Sequence, residues 1–568
     1  MITDPLSVAC QRPSVNILWF KRDLRLRDHA PLKAAIGAGK PLLMLYCVEP
    51  SLVADPHYDG RHWRFIHESV QDLNRQLTRW ETHQRQALSQ KPVSNSAPHE
   101  WLPFVFDDIP APAVLPENSG PHQIWLFQRE VIAVLRAVQE WATIDTIFSH
   151  EETGLRLTYD RDKAVSAFCR EESIHWQEFQ SNGVVRPLTD RETWAADWKV
   201  TMQADQQHPD LTRLCPADVP TDWYDAHRGQ PMPTDWTTPD PVFQPGGEQN
   251  AHRYLDSFLT ERIALYAKSI SKPLESRRGC SRLSPYLAWG CLSIRQVFQA
   301  QVEAKTTSST KGQFAAFASR LRWHCHFIQK FESEDRIEFE NTNLAFDSLP
   351  KNVNLSQLRA WMDGRTGYPM VDACMRCLTA TGYINFRMRA MLTSFLTHHL
   401  FQDWKAGAMH LARLYTDFEP GIHYAQTQMQ AGMTGTNTVR IYNPVKQSHD
   451  HDPDGVFIRL WIPELARVPD ANIHEPWLMP PLEQDLYGFH IGQDYPAPIV
   501  DIAETAREAQ RKLYGQRKTD LAKTEKDRIL KRHAIPRPET DKPPKTRRKT
   551  STATPKKKQA KVLATPTA

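Results

Sequence analysis

Arg387 and Arg389 are the residues whose setting most needs a chemical explanation. They sit just after Asn385, at the start of a run in which Phe386, Met388, Met391, Leu392, Phe395, Leu396 and Leu400 recur at the spacing of an amphipathic helix facing a large core. The surrounding stretch, Trp361 to Met429, mixes arginines and acids with this helical pattern. A guanidinium withdrawn from water is costly unless an anion or strong acceptor meets it, so the pattern predicts an ion pair or an anionic ligand there. Cys374 and Cys377 form the chain's only CxxC. They lie in a helical pattern with no second pair after them, which argues against zinc or an iron–sulfur cluster.

The elements that must position these residues can be read from the rest of the chain. Its 568 residues exceed one core and imply two to four domains. Apolar runs at 16–20, 41–48, 124–127 and 144–148 read as strands, with helices at 63–80 and 129–141. Such alternation predicts an α/β N-terminal domain, a Rossmann-like parallel sheet covered by helices, with any ligand at the carboxyl ends of the strands. No GxGxxG follows a strand, so the dinucleotide fingerprint is missing. The polar segment 84–122 reads as an insertion or long loop, and 172–247, rich in Pro and Trp, as an irregular surface linker. From Gln249 onward helical patterns dominate, at 254–266, 286–288, 294–304 and 314–331. The expected division is 14–155 α/β, 156–248 linker, 249–490 all-α, 491–535 a helical extension and 536–568 a tail. Within the extension, 502–530 reads as one charged, exposed helix.

Charge is unevenly distributed. From Asp541 to Ala568 nine basic residues face one acid, giving +8, which leaves −4 for the remainder of a chain whose total is +4. A tail of Lys, Pro, Thr and Ala cannot bury a core and reads as disordered, either solubilising or a weak, salt-dependent anchor to nucleic acid. No apolar window approaches the ~20 residues of a spanning helix, and no signal peptide is apparent. With nine scattered cysteines, a reduced cytoplasmic setting and no membrane association are expected.

Four separated motifs carry a family resemblance: WFKRDLRLRDHAPL near the start, GCSRLSPYLAWGCLSIRQ at 279–296, TGYPMVDACMR at 366–376 and RIYNPVKQ at 440–447. In this order and spacing, over roughly 16–477, the chain resembles the photolyase/cryptochrome flavoproteins. The resemblance implies FAD bound in the large all-α C-terminal domain and leaves room for an antenna chromophore of folate, deazaflavin or flavin type in the N-terminal domain. It implies a cradle for the FAD phosphates at Ser281, Arg282, Leu283 and Ser284, which hydroxyls, backbone N–H groups and a helix start could supply. Tyr266 and Phe317 fall beside the flavin, as does Glu419, and Arg389 with Asp417 matches a pair against the isoalloxazine. Taken alone, the pair could be an inter-helix salt bridge, and Asp403 is a competing partner for Arg389. His423 falls near flavin N5, either as a proton donor or as a hydrogen-bonded structural histidine.

The same resemblance places damaged DNA, with a pyrimidine lesion flipped from the duplex, over Arg320, Trp323, Phe386, Arg387 and Met429. Here the chain departs from cyclobutane-dimer photolyases: Arg320 stands where the family has glutamate, Phe386 where it has asparagine, and Met429 where it has a tryptophan. Trp323 retains the stacking position. Trp404 matches the middle member of a three-tryptophan electron route whose flavin-proximal member is replaced by Thr427, so Tyr424, Trp404 or Trp289 is a candidate substitute route. Two functions follow: light-driven, FAD-dependent repair of pyrimidine lesions by a monomeric enzyme, or a cryptochrome-like photoreceptor. Binding of nucleic acid by a flavoprotein without repair is a third.

Overall fold

The computed structural model describes residues 12–89, 122–307 and 310–535. The basic tail lies outside the described residues, as does 90–121 of the expected insertion; Gln84 to Ser89 prolong the helix Gly60–Ser89. Strands β1 (Ser14–Phe20), β2 (Leu42–Cys47), β3 (Ile124–Phe127), β4 (Thr143–His150) and β5 (His175–Phe179) form one parallel sheet in the order β3-β2-β1-β4-β5. The apolar runs are what such a sheet requires, because helices cover both faces. Alternate side chains enter different cores, as a period of two dictates. Leu18, Phe20, Met44 and Tyr46 join the large core shared with the helical part of the chain, whereas Ile17, Trp19, Leu43 and Leu45 meet the helices Val131–Val138 and Arg156–Glu171.

Strand β5 corrects the linker reading of 172–247. HWQEF is an edge strand with no fully buried residue, so it lacks the apolar signature by which the other strands were found. It pairs with β4 from Thr146↔His175 to His150↔Phe179.

The remainder is helical. Helix Lys311–Ser333 packs along Pro420–Gln430, and a Cβ on Gly421 would lie 2.7 Å from the Cα of Ile328, so glycine permits the close approach. The helix after Asn385 is α only over Phe386–Ser394 and then widens into a π-helix at Phe395–His399. The stretch 502–530 is two helices, Ile502–Gln516 and Asp520–His533, with Thr519 capping the second by accepting from Ala522 N at 3.3 Å. Neither floats in solvent: Leu513 and Ile529 are buried, and Arg528 and His533 reach Glu334 at 2.8 and 2.6 Å.

Two of the sequence motifs turn out to hold each other. Arg22 Nε donates to Ala288 O at 2.9 Å with its guanidinium on the Trp289 ring, Leu24 N donates to Trp289 O at 3.1 Å, and Arg25 Nη1 donates to Gly290 O at 3.0 Å. Ser293 Oγ and Arg295 Nε both donate to Asp28 Oδ2. Gly290 has φ +70°, and a Cβ there would sit 2.1 Å from the carbonyl oxygen of Arg22. Gly290→Ala is therefore expected to destabilise the chain by about 1–3 kcal/mol through backbone displacement at this joint. Thermal unfolding checks it; an unchanged Tm would contradict the tightness of the joint.

Candidate functional site

Asn385 ends an extended segment and opens the helix Phe386–Ser394, which turns Phe386 outward and buries Met388 and Met391. Arg389 Nη2 donates to Asp417 Oδ2 at 2.9 Å, its Nε donates to Ile384 O at 2.8 Å, and its guanidinium lies 4.0 Å from the Tyr415 ring centre. Burial alone would push the Asp417 carboxyl up, but Arg389 and the Ser284 hydroxyl outweigh it and hold it below the usual carboxylate range. The pair is thus ionised, and Asp417 Oδ1 is buried with no hydrogen-bond partner. Asp403 is no competitor: it caps the helix Trp404–Leu414 by accepting from Lys405 N at 2.9 Å.

A second charged group forms around Ser281–Ser284. Arg282 takes a left-handed backbone, φ +59°, and its guanidinium stacks 3.7 Å from the centre of Tyr383, while its buried Nε lacks a partner. Burial and then the repulsion of Arg282 lower the affinity of Arg277 for its proton; at Arg262, burial first and Arg282 among the rest bring the value to about 10. Arg262 is spent on main-chain carbonyls, including Tyr254 O at 2.7 Å, and Arg277 reaches Thr381 Oγ1 at 3.2 Å. Three guanidinium groups crowded by mutual repulsion suit an anion such as a pyrophosphate. Leu283 is buried beneath this group, Ser284 is exposed, and Ser281 Oγ accepts from Leu283 N at 3.4 Å. Arg262, Arg277, Tyr383 and Tyr415 escaped the sequence reading, although Arg277 lies only two residues before the motif at 279–296.

Tyr266 and Phe317, both assigned to the flavin, lie against each other. They form an edge-on aromatic trio with Phe258, at 4.8 to 5.7 Å between ring centres, and Arg320 hydrogen-bonds the Tyr266 hydroxyl. The residues assigned to the lesion line up differently. Trp323 and Phe386 are 45% and 44% exposed, while Met429 is half-buried. Trp323 itself rests on Phe327, and Arg387 is half-buried, 3.5 Å from Ser271 Oγ.

His423, Glu419 and Trp404 are more committed to the protein. His423 Nε2 donates to Ala408 O at 2.9 Å, and burial pulls its pKa down to about 3, so the imidazole is neutral. Glu419 faces the sheet-bearing half, its Oε2 3.6 Å from Arg22, and burial raises its pKa to about 7. Trp404 is buried and donates from Nε1 to Asn341 Oδ1 at 2.8 Å. Thr427 is buried as well.

A separate recess lies at the carboxyl ends of β1 and β2, lined among others by Trp19, Tyr46, Cys47, Glu152 and Arg161. Among the described residues no helix is long and apolar enough to cross a membrane.

The chain is similar to known proteins over most of its length. A family model described as the FAD binding domain of DNA photolyase matches residues 317–515, and one described as DNA photolyase matches 16–83. A cryptochrome DASH from Gloeobacter violaceus is 28% identical over 502 residues, covering 86% of this chain and 94% of that protein. A deoxyribodipyrimidine photo-lyase from Alkalihalophilus pseudofirmus is 27% identical over 530 residues, covering 87% and 97%. The crystal structure of a bacterial class III photolyase from Agrobacterium tumefaciens superposes with a TM-score of 0.71 at 24% identity, covering 91% of this chain and all of that one.

The neutral His423 makes a pH prediction. Its pKa is 6.5 in the unfolded chain and about 3 when folded, so its stability contribution is complete above 6.5 and is lost as pH falls toward 3. His423→Asn is expected to reduce proton uptake on unfolding at pH 5 by about one. Urea midpoints measured against pH check this; an unchanged slope would mean His423 is charged when folded.

Proposed function

Because the chain belongs to the photolyase/cryptochrome family, with flavin-dependent photolyase or cryptochrome function, we propose that it is a blue-light-driven enzyme repairing pyrimidine lesions in DNA. The observation that carries the cofactor half of this reading is the ionised Arg389–Asp417 pair with an unpartnered buried Asp417 Oδ1. An aspartate so placed can accept from an N–H of a flavin ring, while the adjacent guanidinium stabilises negative charge on it. The partnerless Arg282 Nε and the neighbouring Arg277 provide for the phosphates, and Tyr266 and Phe317 for an aromatic wall. When bound, the reduced flavin supplies the photoexcited electron that opens a dimer.

The protein's own residues do the rest. Trp323 offers a face to an extruded base, Phe386 a second exposed ring, and Arg320 and Arg387 cations for the DNA backbone. His423, neutral and donating to Ala408 O, packs against Tyr415, Phe418 and Tyr424 as a fixed dipole and not as an acid. The recess at the ends of β1 and β2 is where an antenna chromophore would sit, beside the Arg161–Glu152 pair at 2.7 Å. The +8 tail would add salt-dependent attachment to DNA.

Arg320, Thr427 and Met429 favour the second reading, a cryptochrome-like photoreceptor, because they replace residues tied to dimer recognition and the electron route. One assay separates the two. Flavin-loaded, photoreduced protein is illuminated with single- and double-stranded DNA holding a defined cyclobutane or (6-4) lesion, and intact bases are quantified. Repair of at least one lesion, abolished in the dark and weakened by Trp323→Ala, is expected. Illumination that restores neither lesion in either form of DNA would leave the photoreceptor.

A further inference from the structure

Tyr424 follows His423 in the helix Pro420–Gln430, and its hydroxyl crosses to the sheet-bearing half of the molecule. It lies 2.5 Å from Nε2 of His57, and His57 Nδ1 lies 2.5 Å from Asp55 Oδ1. Asp55 Oδ1 also accepts from the main-chain N of His57 at 2.9 Å, and the imidazole is stacked on Phe418 with 8° between the ring planes. A carboxylate only accepts, so the Nδ1 of His57 carries the proton and Nε2 offers a lone pair. The phenol is therefore the donor to His57. Burial pushes the Tyr424 hydroxyl well above the ordinary tyrosine value, which keeps that proton on oxygen in the resting protein.

The phenol ring stands edge-on to Trp404 at 6.1 Å between centres and stacks on Phe331 at 6.0 Å. Trp404 and Tyr424 differ in one respect that decides where an electron vacancy rests. Trp404 donates its indole N–H to an amide oxygen, Asn341 Oδ1, which is too weak a base to take the proton. Tyr424 donates to an imidazole held ready by a carboxylate. Removing an electron makes a phenol O–H strongly acidic, so a vacancy becomes trapped where a base is waiting.

We propose that Tyr424 is a redox-active tyrosine that donates an electron toward the flavin through Trp404, with His57 accepting its proton and Asp55 positioning His57. This rests on the flavin reading above. The step balances on the chain's own residues: a bound flavin, or any added one-electron oxidant, would take an electron from Trp404, and Tyr424 replaces it. The Tyr424 O–H bond breaks, an N–H bond forms at His57 Nε2, and the products are a neutral tyrosyl radical, an imidazolium paired with Asp55, and a restored Trp404. Asp55, whose side chain is 17% exposed, is the end of the relay nearest solvent. The motif absent at Thr427 is thus replaced by a donor that needs both halves of the chain.

The test uses the full chain with oxidised FAD bound, illuminated without oxygen and examined by EPR and transient absorption. The wild type is expected to give a tyrosyl radical whose spectrum changes on incorporation of ring-deuterated tyrosine and whose formation slows in D2O. Tyr424→Phe should lose that radical. His57→Gly should lose it while retaining Tyr424, with recovery on adding imidazole, and Asp55→Asn should slow it. In the dark, ¹⁵N shifts of His57 should report protonated Nδ1 and an accepting Nε2. A chain that binds no flavin would defeat the flavin reading alone, because flash-quench oxidation with a ruthenium–bipyridine complex creates the same vacancy without flavin. A wild-type tyrosyl signal persisting in Tyr424→Phe, or unaffected in His57→Gly, overturns the proposal. So does its absence from the wild type with both oxidants.

Discussion

The joint between the loop after β1 and the Ala288–Ser293 turn is the constraint on which the rest of the structure depends. Arg25 is a buried and Arg22 a half-buried cation, their hydrogen bonds going to main-chain carbonyls, and Asp28 accepts from Gln207 N, Ser293 Oγ and Arg295 Nε. Charged groups out of water tolerate little play, because each lost hydrogen bond leaves an expensive unpaired group. The sheet and the helical core are consequently held in one register. Glu419 meets Arg22 across this joint, and Tyr424 meets His57. A chemistry that draws one residue from each half is possible only if the joint does not slip.

Buried charge is used in two distinct ways. At the joint most charges are satisfied: Glu248 accepts from Leu26 N and Arg27 N at 3.0 Å each, and Asp28 has three donors, Gln207 N, Ser293 Oγ and Arg295 Nε, while Glu419 Oε1 is left without a partner. Around Arg389 and Arg282 they are incompletely satisfied, with Asp417 Oδ1 and Arg282 Nε left over in buried positions. Leftover valences of opposite sign, Asp417 Oδ1 near the Tyr415 ring and Arg282 Nε beside further guanidinium groups, are what the proposed ligand, with a ring at one end and phosphates at the other, would use. FAD has that character, and the match of residues 317–515 to an FAD binding domain agrees.

Much of this was legible beforehand, for identifiable reasons. Strands β1 to β4 announced themselves because a parallel sheet buried on both faces demands continuous apolar runs. An arginine in the first turn of an apolar helix asks for an anionic partner, but Asp417 was named only by the family resemblance, with Asp403 left open as a competitor. Strand β5 was hidden because an edge strand of HWQEF need not be apolar, and the break at Thr519 because a capping threonine is inconspicuous between two charged helices. Glu419, which the resemblance set beside the flavin, has Arg22 of the other half as its neighbour, a contact that sequence position does not announce. His57 and Asp55 were out of reach altogether, since their partner lies 367 residues away and only the fold brings it near.

The central claim, that the incompletely satisfied charges around Arg389, Asp417 and Arg282 hold FAD, is tested most directly by counting the cofactor. The full chain, purified from flavin-replete cells or incubated with FAD and freed of excess, is heat-denatured and the released flavin quantified against protein. The account predicts FAD close to one per chain for the wild type and a loss of most of it in Asp417→Ala. A folded wild-type chain that takes up no FAD, or an Asp417→Ala chain that retains as much as the wild type, would contradict it.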